Sequence, residues 1–128
     1  MKKILTVLLL SPLFLIAQII QSDSSLLDFG IVNVGTTDSL QITLNNTSSS
    51  SVSVTNVKFY TIYNNTPFSA SSASFSIPAN GSFSIWVYFT PIHNILHNSE
   101  MVIQHNMTSG FTTIDLDGQG RFPNPYYN

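Results

Sequence analysis

From Ser25 to Gly120 apolar and polar residues alternate with period two, and turn residues interrupt the alternation at about the spacing of a β-sandwich. The pattern predicts seven strands. The first runs from Leu27 to Val34, with Phe29 inward and Gly30 allowing a kink that brings Val32 and Val34 to one side. Leu40, Ile42 and Leu44 then alternate with Gln41, Thr43 and Asn45, an apolar face and a wet face on one strand. In the third run the parity changes between Val52/Val54 and Val57/Phe59, which predicts a bulge at Thr55 and Asn56. Phe68, Phe75 and Ile77 mark an irregular fourth segment. The fifth follows the Pro78–Gly81 turn, with Phe83, Ile85, Val87 and Phe89 set against Ser84, Trp86, Tyr88 and Thr90. Met101 and Ile103 make the sixth, Ile114 and Leu116 the seventh, and Gly118 and Gly120 close the domain. Past the N-terminal segment nothing has helical period.

That segment belongs to a different class. Met1, Lys2 and Lys3 precede an apolar run from Ile4 to Ala17 that is too short to cross a bilayer comfortably. It reads as a secretory signal peptide over residues 1–17, cut after Ala17 or as late as about residue 22. The alternative is an uncleaved anchor continuing through Ile19 and Ile20, which Pro12 and the polar interruptions weaken. Either way the remainder, a sandwich expected over 25–121, is exported.

Composition narrows the chemistry. The 128 residues contain no cysteine, so disulfides, thiolate metal sites and cysteine nucleophiles are excluded. Nineteen serines, twelve threonines and twelve asparagines suit strands joined by turns. Once residues 1–17 are removed, Lys58 and Arg121 stand against six acidic side chains. Two isolated cations provide no stripe for a phosphate backbone or an anionic membrane.

Several segments together resemble a known family. Leu27-Asp28-Phe29-Gly30-Ile31-Val32-Asn33-Val34-Gly35 is similar to the opening of the abnormal-spindle/hydin immunoglobulin-like domains, known in bacterial surface proteins as choice-of-anchor D modules. Leu40 to Thr47, the turn Ile77-Pro78-Ala79-Asn80-Gly81-Ser82, Val87-Tyr88-Phe89-Thr90-Pro91 and Leu116-Asp117-Gly118-Gln119-Gly120 match later landmarks in order. Asn80 stands where the family usually has glycine. The resemblance implies an all-β, seven-stranded immunoglobulin-like sandwich serving as a non-catalytic accessory, adhesion or spacer module of a secreted bacterial protein.

Catalytic constellations are weak throughout. His93 and His97 are four apart with His105 nearby, but Pro91, Asn94 and Asn98 make the stretch a loop, and zinc would need a third ligand such as Glu100 or Asp115. Solvated loop histidines are the expected reading. Asp115-Leu116-Asp117-Gly118 begins like a calcium loop but lacks the later glutamate. Asp115 and Asp117 share one strand face, and without a cleft they read as a solvated pair. No G-x-S-x-G turn accompanies the serines. Catalytic, metal and cofactor residues are therefore expected to be none.

The candidate interaction surface is Trp86 and Tyr88, outward on their strand, with Gln41 and Thr43 beside them if the two strands pair. Such a face suits a neighbouring domain, a protein or a glycan at the cell surface. Five Asn-x-Ser/Thr sequons, at Asn45, Asn46, Asn64, Asn80 and Asn106, follow from composition. Residues 122–128 read as a linker or the start of a further domain, and Pro125-Tyr126-Tyr127-Asn128 resembles the approach to a secreted endonuclease I-type domain. That resemblance makes the accessory module of a truncated secreted nuclease the alternative function, with a small glycan-binding module using Trp86 and Tyr88 as another.

Overall fold

Alternation of apolar and polar side chains becomes two stacked sheets in the computed structural model, which describes residues 20–61, 66–107 and 110–124. Among the described residues nine strands form where seven are expected: β1 (Ile20–Ser22), β2 (Leu26–Asn33), β3 (Asp38–Asn46), β4 (Val52–Tyr60), β5 (Phe68–Ala70), β6 (Phe75–Ile77), β7 (Ser82–Phe89), β8 (Leu96–His105) and β9 (Phe111–Arg121). One sheet has the order β1-β3-β7-β5 and the other β2-β9-β8-β4-β6. Neighbours are antiparallel except β2 and β9, which run parallel.

The best-patterned strands pair with each other. Leu40, Ile42 and Leu44 of β3 lie opposite Val87, Ile85 and Phe83 of β7, so one face of the pair is apolar and faces the second sheet. Ile42, Leu44, Ile85, Val87 and Phe89 meet Met101, Ile103, Ile114 and Leu116 in a single core. Both predicted irregularities are present. The β4–β8 register shifts between Val54 and Asn56, and the β2–β9 register shifts between Asp28 and Ile31 around Gly30.

The differences from the expected strands have local causes. The single fourth segment is two three-residue strands on opposite sheets, β5 beside β7 and β6 beside β4. The small residues Ser71 to Ser74 make the crossing, and strands this short carry no period. The sixth strand begins at Leu96; its inward positions include the polar His97 and Ser99, Leu96 is exposed, and Val102 is buried out of phase with them, which disguises the alternation. The seventh does not stop at Gly118: pairing runs to Arg121 with both glycines inward. β1 lies ahead of the boundary expected at Ser25. Its fully buried Ile20 pairs with Asn46, and the Ile20 carbonyl accepts the Thr112 hydroxyl at 2.8 Å. The segment read as a signal peptide, residues 1–17, lies outside the described residues, as do residues 125–128.

Candidate functional site

The pairing of β3 with β7 assembles the candidate surface. Gln41 sits directly opposite Trp86, Ser39 opposite Tyr88, and Thr43 opposite Ser84, whose hydroxyl oxygens are 2.9 Å apart. On the other side of β7, Ser69 pairs with Tyr88, and Ser71 exchanges hydrogen bonds with the Trp86 backbone in both directions. Trp86 is 43% exposed and Gln41 is exposed, whereas Tyr88 and Thr43 are half-buried. The result is a face with one indole bordered by amide and hydroxyl groups. Asp23 reaches its margin, accepting the Thr43 N–H at 3.1 Å. Such a face offers stacking area and neutral hydrogen bonding. It carries no acid–base pair.

The outer face of the five-stranded sheet has the opposite character. Asp115 and Asp117 do share one face of β9, but two further carboxylates join them: Asp28 pairs with Asp117 from β2, and Glu100 pairs with Asp115 from β8. Four of the chain's six acids therefore occupy two adjacent rows. Asn98 donates from Nδ2 to Asp117 Oδ1 at 2.5 Å. Neither Asp28 nor Glu100 is visible as a partner in the sequence, because only the parallel β2–β9 pairing and the β8–β9 register place them there.

Two of the three histidines are not solvated loop residues. His97 and His105 lie on the inward face of β8 and are buried, while His93 is exposed in the preceding connection. Burial pushes both below the ordinary histidine value, and for His97 the His93 charge adds to the effect. Glu100 and Asp115 are on the opposite face of the sheet from His97, so the zinc set considered from spacing does not converge. Among the described residues no group of three metal-binding side chains comes together. Of the sequons, Asn46 is buried and bonded, Asn106 accepts the Ser53 N–H at 2.9 Å, Asn45 and Asn80 are exposed, and Asn64 lies outside the described residues.

The motif residues have structural work. Phe29, Phe68 and Phe89 form a ring cluster with centroids 4.9 to 5.8 Å apart. A Cβ on Gly118 would come within 2.5 Å of the Phe89 ring, and one on Gly120 would collide with the His93 carbonyl and Pro91. Only glycine leaves that room. Pro91 also accepts the Gly35 N–H at 2.9 Å, so the opening, the Phe-x-Pro and the Gly-x-Gly segments close one end of the sandwich together. At the other end Asn46 meets the Pro78–Gly81 turn. Asn80 adopts φ 55°, a left-handed conformation that asparagine tolerates, so the turn is kept without the usual glycine.

Comparisons with known proteins agree with this architecture. The chain is similar to the ASH/PapD-like domain 7 of human CEP192, at 12% identity and a TM-score of 0.70, covering 83% of this chain and 87% of that one. It is similar to WR4, an MSP family member of C. elegans, at 12% identity and a TM-score of 0.57, covering 82% and 100%. A family 123 glycoside hydrolase from Clostridium perfringens contains a similar sandwich, at 14% identity and a TM-score of 0.64, covering 77% of this chain and 23% of that one. No curated protein matches the chain. The family model for Cep192 domain 4 matches residues 17–121, and the chain belongs to this family of ASH/PapD-like immunoglobulin-like β-sandwich domains.

Proposed function

We propose that this domain is an exported, non-catalytic accessory or adhesion module of a bacterial protein, and that it makes contact through the Trp86 face. The observation that carries the reading is the half-exposed indole at the centre of an uncharged amide and hydroxyl surface. A large aromatic held open on a rigid sheet favours an interface, since its stacking area is presented with little conformational entropy left to lose. Export rests on the Lys2–Ala17 pattern. A similar sandwich forms under a quarter of the Clostridium perfringens hydrolase chain, which supports a role beside other domains.

A glycan ligand is the second reading, favoured by the neutral neighbours Gln41, Ser39, Thr43 and Ser84, which match sugar hydroxyls better than they match a charged partner. Trp86 is the sole tryptophan, so indole emission reports directly on this face. The test is binding of the purified chain to bacterial cells and to soluble cell-surface glycans, with emission followed during titration. Trp86→Ala should weaken cell binding at least about tenfold, the scale of a lost aromatic anchor. Binding that survives the substitution unchanged overturns the assignment of the face. Cell binding without any response to free glycans leaves a protein or neighbouring domain as the occupant.

A further inference from the structure

The end of the sandwich closed by Phe89, Gly118 and Gly120 holds a buried base that the Trp86 face does not use. His97 is 4% exposed, lies opposite Gly118 in the β8–β9 ladder, and has its ring 5.7 Å from that of Phe89 in an edge-on arrangement. Neither Nδ1 nor Nε2 has a well-formed hydrogen bond, although the His93 backbone lies close enough to act on the ring and partly offsets the effect of burial. The neutral ring has thus given up its water for little in return, and the protonated ring would bury a charge.

Among the described residues the surroundings offer that charge no counter-ion. Phe89 faces it from β7, and Gly118 brings no side chain from β9. Asp117, next along β9, lies on the outer face and holds the Asn98 amide. Asp38, opposite Phe89 at the start of β3, is exposed and accepts the Ser39 N–H, and Arg121 is exposed. The ionisable group acting on His97 is His93, another base. In the connection between β7 and β8, next to the ring in sequence, Ile92, His93 and Asn94 are exposed. That connection is held to the five-stranded sheet by Gly120 N–H to the Ile95 carbonyl and Gly35 N–H to the Pro91 carbonyl, both at 2.9 Å.

We infer that His97 is an acid-sensitive latch: taking up a proton, it drives the Pro91–Ile95 connection open and releases the adjoining ends of β2 and β9, while the β3–β7 sheet stays paired. An opened ring takes its proton near pH 6.5 and the closed one resists it, so acid favours the open form. Each pH unit below 6.5 should raise the opening constant about tenfold for as long as closed His97 remains neutral.

Amide hydrogen exchange on the full chain tests this, read at Gly35 and Gly120 from pH 7.5 to 5.5 and corrected for intrinsic rates. The expected result is at least a tenfold rise in opening at those two amides while the β3–β7 ladder stays better protected than they are at every pH, and loss of the effect in His97→Leu but not in His93→Gln. An unchanged acid response in His97→Leu, equal protection of both amides and the β3–β7 ladder at every pH, or no response in the parent overturns it. If His97→Leu does not fold, the ring protons of His97 in the parent decide. Titration below 6.5 in step with loss of protection supports the latch, and titration at 6.5 or above with both amides still protected overturns it.

Discussion

The two ends of this sandwich are closed by different physics. At one end, Phe29, Phe68 and Phe89 pack together, and Gly118 and Gly120 leave the space that the Phe89 ring and the His93 carbonyl occupy. At the other, a single buried amide does the joining. Asn46, 2% exposed, directs Nδ2 at the carbonyls of Ser50, Ile77 and Pro78 at 2.8 to 3.1 Å, and its Oδ1 accepts both the N–H and the hydroxyl of Ser48. The first end tolerates no added atom, and the second tolerates no lost one. Steric closure fails through collision, whereas polar closure fails by leaving buried carbonyls unpaired.

The sharpest way to break the steric end is Gly120→Ala. Its Cβ would meet backbone, which cannot swing aside as a side chain can, and we expect a loss of about 3 kcal/mol or more. A thermal melt should show it as a drop of well over 10 °C in a domain of this size, roughly 4–8 °C per kcal/mol. A melt within 2 °C of the parent would mean that the end is not closed by contact. Asn46→Ala tests the polar end. Truncation removes all five bonds, but the Pro78 carbonyl keeps the Gly81 N–H and the Ser50 carbonyl keeps the Ser48 hydroxyl, so the expected loss is about 1–3 kcal/mol, measured by urea unfolding. Asn46→Asp should recover little of it, because a carboxylate accepts but cannot donate to the carbonyls.

Each end also contains one buried histidine, His97 in the steric end and His105 in the polar one, and acid should act on both. Unfolded, each imidazole takes its proton near 6.5; folded, burial holds each lower, so the folded state is fully favoured above that pH and loses ground as pH falls below it. The expected slope is about 1.4 kcal/mol per pH unit for each histidine while its folded form stays neutral. His105→Leu should halve the slope between pH 6.5 and 5.5 in denaturant titrations, and an unchanged slope would remove His105 from the account. The smallest effect is at Asn80. Asn80→Ala should cost about 1 kcal/mol at its left-handed φ, and Asn80→Gly should be neutral or slightly stabilising. Equal melts for the two variants would show that the turn does not depend on this conformation.

Much of the fold was legible in the residues. Strong alternation in β3 and β7, the parity change at Thr55 and the glycine at position 30 each appear in the structure at the positions expected. What escaped did so for stated reasons: β5 and β6 are too short to have a period, and β8 carries His97 and Ser99 inward with Leu96 outward. The candidate surface was half legible. Outward placement of Trp86 follows from its strand, but its pairing with Gln41 depends on register.

The division has one physical origin. Local sequence determines which side of a strand each residue faces, because side-chain direction alternates with every residue; that alone yielded the all-β class, the apolar core set and an outward Trp86. Which strands become neighbours depends on long-range closure, and no local pattern encodes it. Only the tertiary structure therefore brought Asp28 and Glu100 beside Asp115 and Asp117, set His97 against Phe89, and made glycine the residue that fits at 118 and 120.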